Sequence, residues 1–252
     1  MIKEKRLKNI KEYITKNESA SLDELVSIFN VSKNTIRRDV QELIETGNFK
    51  KIYGGVAVVK NKELLPFHDR KIRNQSEKRY IAQLASNFIE NGDIIFIDSG
   101  TTTIELFDFI KDKELTIVTN NIEFITLCIP YEQLNILCTG GILERKTKSF
   151  GNFNNPDFLE NYNINKAFMA STGISIKNGV TNSSPLESNL KQIVVKKCNE
   201  VYLMIDADKF DKQGLITYCG LDEIDFVITN KKPPEEFYLF FQQHDIDVIY
   251  VK

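Results

Sequence analysis

The sequence predicts an α/β chain in two parts, an N-terminal winged helix-turn-helix and a larger, Rossmann-like domain built on a mostly parallel sheet. Three observations carry this. Residues 21–47 hold two closely spaced helix starts with a tight turn between them. Residues 49–58 hold two short β-type runs around Gly54-Gly55, a hairpin signal. From residue 94 onward, short apolar runs alternate with helical periodicities, the pattern of a parallel sheet covered by helices. At 252 residues the chain is long for one domain and comfortable for two.

Composition sets the bounds. With 42% apolar and 27% charged residues the chain can bury a real core. No apolar run approaches the ~18 residues of a membrane span, and MIKEKRLKNI lacks the apolar core of a secretory signal, so a cytoplasmic protein is expected. Cys128, Cys138, Cys198 and Cys219 form no CxxC pair and sit in largely apolar neighbourhoods, which reads as buried, reduced thiols. His68 and His244 have no spaced partners, so neither a metal site nor a Ser-His-Asp triad is expected. There is no GxxxxGK[ST] and no GxGxxG, and no cofactor is expected. Residues 1–60 hold 12 Lys/Arg against 8 Asp/Glu, and residues 61–252 hold 21 against 27. A basic head (+4) on an acidic body (−6) is the footprint of a nucleic-acid-binding module joined to something else.

In chain order, Leu7, Ile10 and Ile14 set a first helix over roughly 3–16. Ser21 and Glu24 make a capping box for a short helix through about Phe29. Ser32 is the next N-cap, and the following helix runs to Gly47, its expected C-cap. At ~100° per residue, Ile36, Val40, Leu43 and Ile44 of that helix gather inward. Asn34, Arg38 and Gln41 lie opposite, Thr35 flanks them, Arg37 sits on a shoulder, and Ser32 and Lys33 stand at the N-terminal end. These amides, hydroxyls and cations are the groups that read base edges and hold phosphates in a major groove. Lys50, Lys51 and Tyr53 lead into the Gly54-Gly55 turn, a wing placed to grip backbone phosphates.

VSKNTIRRDVQELIETG followed by YGGVAV resembles the winged helix-turn-helix of DeoR-type transcriptional regulators. Ser32, Thr35, Ile36, Arg37, Arg38, Asp39 and Val40 match that family's signature; where its wing commonly has an Arg before the aromatic, this chain has Lys50 and Lys51.

Residues 61–75 are charged, lack clear periodicity and are broken by Pro66, and they read as a linker between domains at 1–60 and 76–252. A helix begins near Ser76-Glu77 with Ile81, Leu84, Ala85, Phe88 and Ile89 on its core face. Strands are expected at 94–98, 115–119, 134–138, 166–171, 200–206, 225–229 and 246–251, with helices at 102–111, 121–129, 186–198 and 234–243. Ligands of such sheets sit beyond the carboxyl ends of strands. There the chain carries Asp98, Ser99, Gly100, Thr101, Thr102 and Thr103, then Asn120 and Asn121, then Thr139, Gly140 and Gly141 with Arg145 further on, then Thr172 and Gly173. Helix-start N–H groups, threonine hydroxyls and a Gly100 that admits close approach describe a polar anion pocket, better suited to a small phosphorylated metabolite than to a nucleotide.

The family resemblance extends through DSGTTT, TNN, TGGILER, STGISIKNGVT, Glu187 with Lys191, and DADKF, in order over nearly the full length. It implies a C-terminal sensor domain similar in fold to ribose-5-phosphate isomerases, binding a phosphorylated sugar, with Glu187, Lys191 and Lys209 as further site residues. Asp208 stands where the family usually has Ser or Thr, a carboxylate placed to weaken an anion's affinity or to pair with Lys209. The bland reading of Glu187 and Lys191 is an exposed i,i+4 ion pair worth ~0.3–0.5 kcal/mol.

Two further functions share these residues. An isomerase-like enzyme would use Glu187 or Asp98 as base and Lys209 to steady an oxyanion, and an architectural protein would bind DNA without any ligand. A catalyst has no need of the winged head, whereas a sensor needs an output. The expectation is therefore a non-enzymatic, DNA-binding repressor of a sugar operon, acting as a homo-oligomer, dimer or tetramer, whose partners are operator DNA and a phosphorylated sugar.

Overall fold

A computed structural model of the chain describes residues 3–45, 49–58, 65–151, 159 and 162–250. They fall into two compact units, Met1–Leu64 and Leu65–Lys252.

In the first unit, α1 (Lys3–Asn17), α2 (Leu22–Phe29) and α3 (Lys33–Glu45) enclose a core of Ile10, Ile14, Leu25, Ile36, Val40 and Leu43. The Ser21 capping box is formed: the hydroxyl accepts from the Glu24 N–H at 3.0 Å, and the Ser21 N–H donates to the Glu24 carboxylate at 3.2 Å. Asn30 turns the chain in the left-handed region, and the Ser32 hydroxyl accepts from the Thr35 N–H at 3.2 Å to start α3. Gly47, the expected C-cap, lies outside the described residues.

Strands β2 (Phe49–Ile52) and β3 (Gly55–Val58) form the hairpin, and a third strand, β1 (Ser19–Ser21), pairs antiparallel with β3. The two glycines serve different ends. Gly54 has φ +72° and makes the turn, whereas a Cβ on Gly55 would sit 2.4 Å from the Ala20 carbonyl oxygen across the β1–β3 pair.

The second unit begins earlier than composition indicates. Residues from Leu65 belong to it, and Phe67–Ile72 form a short helix, α4, not a linker. The buried Phe67 ring anchors α4 in the core, and the Phe67 N–H donates to the Lys146 carbonyl at 3.0 Å. Six residues with one apolar anchor leave no period to read, which is why this helix escapes pattern analysis.

After α5 (Gln75–Ser86) come the seven strands of one all-parallel sheet: β4 (Ile94–Ile97), β5 (Leu115–Thr119), β6 (Leu134–Cys138), β9 (Lys166–Met169), β12 (Glu200–Met204), β14 (Phe226–Ile228) and β15 (Asp247–Ile249). The spatial order is β15-β14-β12-β9-β4-β5-β6. All seven expected strands are members. Alternate residues feed two cores. Ile95, Ile97, Phe168 and Tyr202 face α4, α5, α6 (Phe107–Ile110) and α7 (Ile122–Cys128), while Phe96, Ala167, Met169 and Leu203 face α8 (Pro185–Lys197) and α9 (Glu235–Gln243). A hairpin of β7 (Ile142–Glu144) with β8 (Ser149–Gly151) and a small sheet of β10 (Gly173–Ser175), β11 (Gly179–Asn182) and β13 (Ile216–Cys219) complete the unit. Cys138, at the end of edge strand β6, is exposed and not buried as its neighbours suggest.

Candidate functional site

On the head, α3 presents Asn34, Arg37, Arg38 and Gln41 to solvent while Ile36, Val40 and Leu43 are buried beneath them. Lys33 is exposed but tied to Asp23 of α2 at 2.5 Å, and the Ser32 and Thr35 hydroxyls bond each other at 2.9 Å. Asp39, the carboxylate that follows the two arginines, is almost fully buried. It accepts a forked pair from Arg6 of α1 at 2.5 and 3.2 Å. Its place in the motif is therefore structural: it fixes α3 against α1 and holds Arg38 outward. Lys50 and Lys51 are exposed on β2, and Tyr53 is fully exposed at the hairpin tip.

In the body, the chain runs β4-β5-β6 in one direction and returns to β9 on the other side of β4. This reversal is a topological switch point between β4 and β9, and open parallel sheets bind ligands beyond the carboxyl ends of their strands at such points. Asp98 and Ser99 follow β4; Ala170 and Ser171 follow β9. The buried Asp98 carboxylate accepts from the Ala170 N–H at 2.9 Å, the Ser99 N–H at 2.8 Å and the Lys191 ammonium at 2.5 Å. Lys191 also donates to the Ala170 carbonyl at 2.9 Å and lies 5.2 Å from the Tyr218 ring centre.

Glu187 lies in the first turn of α8, which Ser184 caps and Pro185 opens. It takes the Ser99 hydroxyl at 2.8 Å, the Ser149 hydroxyl at 2.6 Å and the Asn182 amide at 2.9 Å. Burial works to raise its pKa, but the Lys191 charge and these three donors outweigh it and hold the carboxylate below its ordinary value. Glu187 and Lys191 are thus not an exposed ion pair. Each is nearly fully buried with its own partners, in one network joining β4, β8, β9, β11 and α8. Neither carboxylate is left unpartnered to act as a base.

Other expected site residues divide by what they touch. The Thr103 hydroxyl donates to the Asp98 and Gly100 carbonyls at 2.6 and 3.0 Å, so it shapes the turn. The space Gly100 leaves is filled by Ala170, whose Cβ would lie 2.3 Å from an added one, so that glycine serves internal packing. Gly140 and Gly141 have φ of +64° and +110° and form the turn after β6, Gly173 abuts Lys212, and Arg145 is exposed at the turn of the β7–β8 hairpin. Thr101 and Thr102 are nearly buried, and neither their hydroxyls nor their backbone N–H groups donate a hydrogen bond among the described residues.

Six buried side-chain polar atoms lack a partner among the described residues. Five of them (Asn120 Oδ1, Asn121 Nδ2, Thr139 Oγ1, Ser171 Oγ and Thr229 Oγ1) lie within two residues of the end of a strand of the parallel sheet. The sixth is Nη2 of Arg70, on α4. Burial lowers the Arg70 pKa, and the charges of Glu187, Asp98 and Glu144 oppose it, which places the guanidinium in the field of those three carboxylates. Half-buried Lys209 has its pKa lowered by burial and by the charges of Arg70 and Arg73, against the pull of Asp206. Asp208 does not pair with Lys209: it accepts from Arg73 at 3.3 Å and Asn74 at 3.2 Å. Sequence reasoning missed Arg70, Ser149 and Asn182, and it met Ser171 only as the first residue of STGISIKNGVT, with no role assigned. No motif marks the first three, and for Arg70 the only signal was an arginine inside an apparent linker.

Buried Lys78 donates to the Arg70 and Arg73 carbonyls and pins the end of α4. Burial, with the Lys209 and Arg70 charges, pushes its pKa down from 10.5 to about 8. The fold therefore sheds the proton before the unfolded chain does, and stability rises with pH between about 8 and 10.5 while the cost persists below 8. Urea unfolding from pH 7.5 to 9.5 is expected to show wild type gaining on Lys78→Met by at most about 1.4 kcal/mol per pH unit. A difference that stays flat with pH would mean that Lys78 titrates as an ordinary lysine.

A winged helix-turn-helix followed in the chain by a parallel α/β unit with a topological switch point defines a DNA-binding regulator with a sensor-like domain. The comparisons agree. The DeoR-like helix-turn-helix domain matches residues 6–62, and the DeoR C-terminal sensor domain matches residues 73–231. The HTH-type transcriptional regulator IolR of Bacillus subtilis is 41% identical over 244 residues, 96% of this chain and 97% of that protein. The lactose phosphotransferase system repressor of Staphylococcus epidermidis is 33% identical over 94% of this chain and 95% of its own length. The L-fucose operon activator of Haemophilus influenzae is 28% identical over 94% and 96%. The chain belongs to the DeoR family of transcriptional regulators, and it is a regulator, not an enzyme. Among solved structures, ribose 5-phosphate isomerase A of Methanocaldococcus jannaschii aligns over 54% of this chain and 55% of its own at 15% identity, with a TM-score of 0.41. No helix among the described residues is long and apolar enough to cross a membrane.

Proposed function

We propose that this chain is a cytoplasmic repressor of a sugar-metabolism operon, and that a phosphorylated sugar bound beyond the carboxyl ends of the strands alters its affinity for the operator. The observation that carries this is the row of buried polar atoms along that edge that have no partner among the described residues. Buried polar groups are almost always satisfied, and a row of exceptions at the ligand-binding end of a parallel sheet is what a polar ligand would complete. The Thr101 and Thr102 N–H groups and hydroxyls, with Arg70 and Lys209, supply donors and positive charge for a phosphate. The names of the relatives, a lactose-system repressor and a fucose-operon activator, support a sugar operon. On this reading α3 enters the major groove with Asn34, Arg37, Arg38 and Gln41, the wing grips phosphates through Lys50, Lys51 and Tyr53, and a homo-oligomer presents two heads to a repeated site.

The test is fluorescence anisotropy with DNA from the protein's own promoter region, titrated with a panel of sugar phosphates. One compound is expected to shift operator affinity about ten-fold or more, about 1.4 kcal/mol of coupling. Replacing Thr101 and Thr102 together by valine is expected to abolish that shift and leave operator binding intact. If no compound in a broad panel moves the affinity, the effector half of the proposal fails; if the double variant responds normally, the phosphate sits elsewhere.

A further inference from the structure

We infer that the sensor pocket has two chemically distinct halves, and that Asn120 and Thr139 read the hydroxyl-bearing half of the effector rather than its anionic group. This rests on the effector reading above and assigns a specificity-determining pair within it.

The orientation of Asn120 is fixed by its partner. Its Nδ2 donates to the Phe150 carbonyl at 3.0 Å, and turning the amide over would set two acceptor oxygens against each other. The atom left buried with no partner among the described residues is therefore Oδ1, an acceptor. Phosphate oxygens repel it, whereas a hydroxyl proton satisfies it. Asn121 is fixed in the same way: its Oδ1 accepts from the Glu123 and Phe124 N–H groups at 3.0 and 3.2 Å at the start of α7, leaving Nδ2 as an unused donor. One strand end thus presents an acceptor and a donor. A sugar hydroxyl offers both functions, and the doubly ionised phosphate group of a sugar phosphate offers only acceptors.

Thr139 stands beside this pair. Thr119 and Cys138 are partners in the parallel register of β5 and β6, and the Thr139 N–H donates to the Thr119 carbonyl at 3.1 Å. Asn120 and Thr139 therefore follow neighbouring strands, roughly 4.8 Å apart. The Thr139 hydroxyl is buried with no partner among the described residues, and it can donate or accept.

The charge lies toward the other side. Lys78 and Lys209 lie close to Asp206, the residue that caps the turn after β12, and Arg70 lies between them and the carboxylates of Glu187, Asp98 and Glu144. β12 is three strand positions from β5, roughly 14 Å across the sheet, and the Thr101-Thr102 turn after β4 lies between them. An elongated molecule with its anion toward β4 and β12 and its hydroxyls toward β5 and β6 matches this polarity.

The experiment is titration calorimetry on the full chain with inorganic phosphate and with a panel of pentose and hexose phosphates. Wild type is expected to bind its best sugar phosphate more tightly than phosphate itself. Asn120→Ala and Thr139→Val are each expected to weaken the sugar phosphate about ten-fold and to leave inorganic phosphate unchanged. Thr139→Val is nearly isosteric and removes a hydroxyl with no partner, so it reports on binding even if Asn120→Ala unfolds. Equal losses for both ligands, or no loss for either, would overturn the assignment. If wild type binds none of the compounds, the effector reading falls and takes this assignment with it.

Discussion

Replacing Lys191 by methionine is expected to destabilise the second unit by about 3–5 kcal/mol, the cost of leaving a buried charge without its partner. Asp98 is fully buried, and Lys191 is its only cationic partner within bonding distance among the described residues. The two N–H groups that also bind Asp98 cannot compensate a whole charge. Against a typical total of about 5–15 kcal/mol, a loss of that size brings the unit near its unfolding threshold. The double variant Asp98→Asn with Lys191→Met removes both charges and is expected to recover only part of the loss, because the amide needs no counter-ion but its NH2 faces one of the two backbone N–H donors that the carboxylate oxygens accept. Urea unfolding of the two variants checks this. A single variant that loses less than about 1 kcal/mol would show that Asp98 is solvated or protonated in the folded chain, contrary to the network around it.

Arg38→Ala is expected to weaken operator binding by about 1–3 kcal/mol per head, roughly five- to 150-fold, while effector binding is unchanged. Arg38 is exposed on the face of α3 opposite Ile36, Val40 and Leu43, and Asp39 beside it is locked to Arg6. The substitution should therefore leave the helix in place and remove only the guanidinium. Binding of operator and of unrelated DNA, measured across a salt series, separates two mechanisms. A base contact lowers operator affinity selectively. A phosphate contact lowers both affinities alike and reduces the salt slope by about one. Operator affinity that survives the change would mean that α3 presents another face to DNA.

Much of this was legible in the sequence because it depends on periodicity. Seven apolar runs, most of them separated by helical stretches, point to a parallel sheet, since side chains of strands buried on both faces leave few other arrangements. The Ser21-Glu24 box and the Ile36-Val40-Leu43 stripe place α2 and α3 through contacts three or four residues apart. Where spacing misled, a distant partner had won. Glu187 and Lys191 stand four residues apart and look like a surface pair, yet Lys191 reaches Asp98, 93 positions away, and Glu187 takes donors from Ser99, Ser149 and Asn182. Gly100 reads as an opening for a ligand, yet Ala170 occupies its space. α4 and the three- and four-residue strands β10, β11 and β13 are too short to show a period, and chain packing alone defines them.

The sequence by itself determined the family, the winged head with its reading helix, and the strand ends along which a ligand would lie. Each is encoded in residues close together along the chain. Only the tertiary structure decided which polar groups at those strand ends already have partners and which are left over. That depends on how β4, β8, β9, β11 and α8 converge, and on Arg70 being carried by α4 into the field of the same carboxylates. Hydrogen-bond saturation is a property of groups brought together in space, and no local pattern records it.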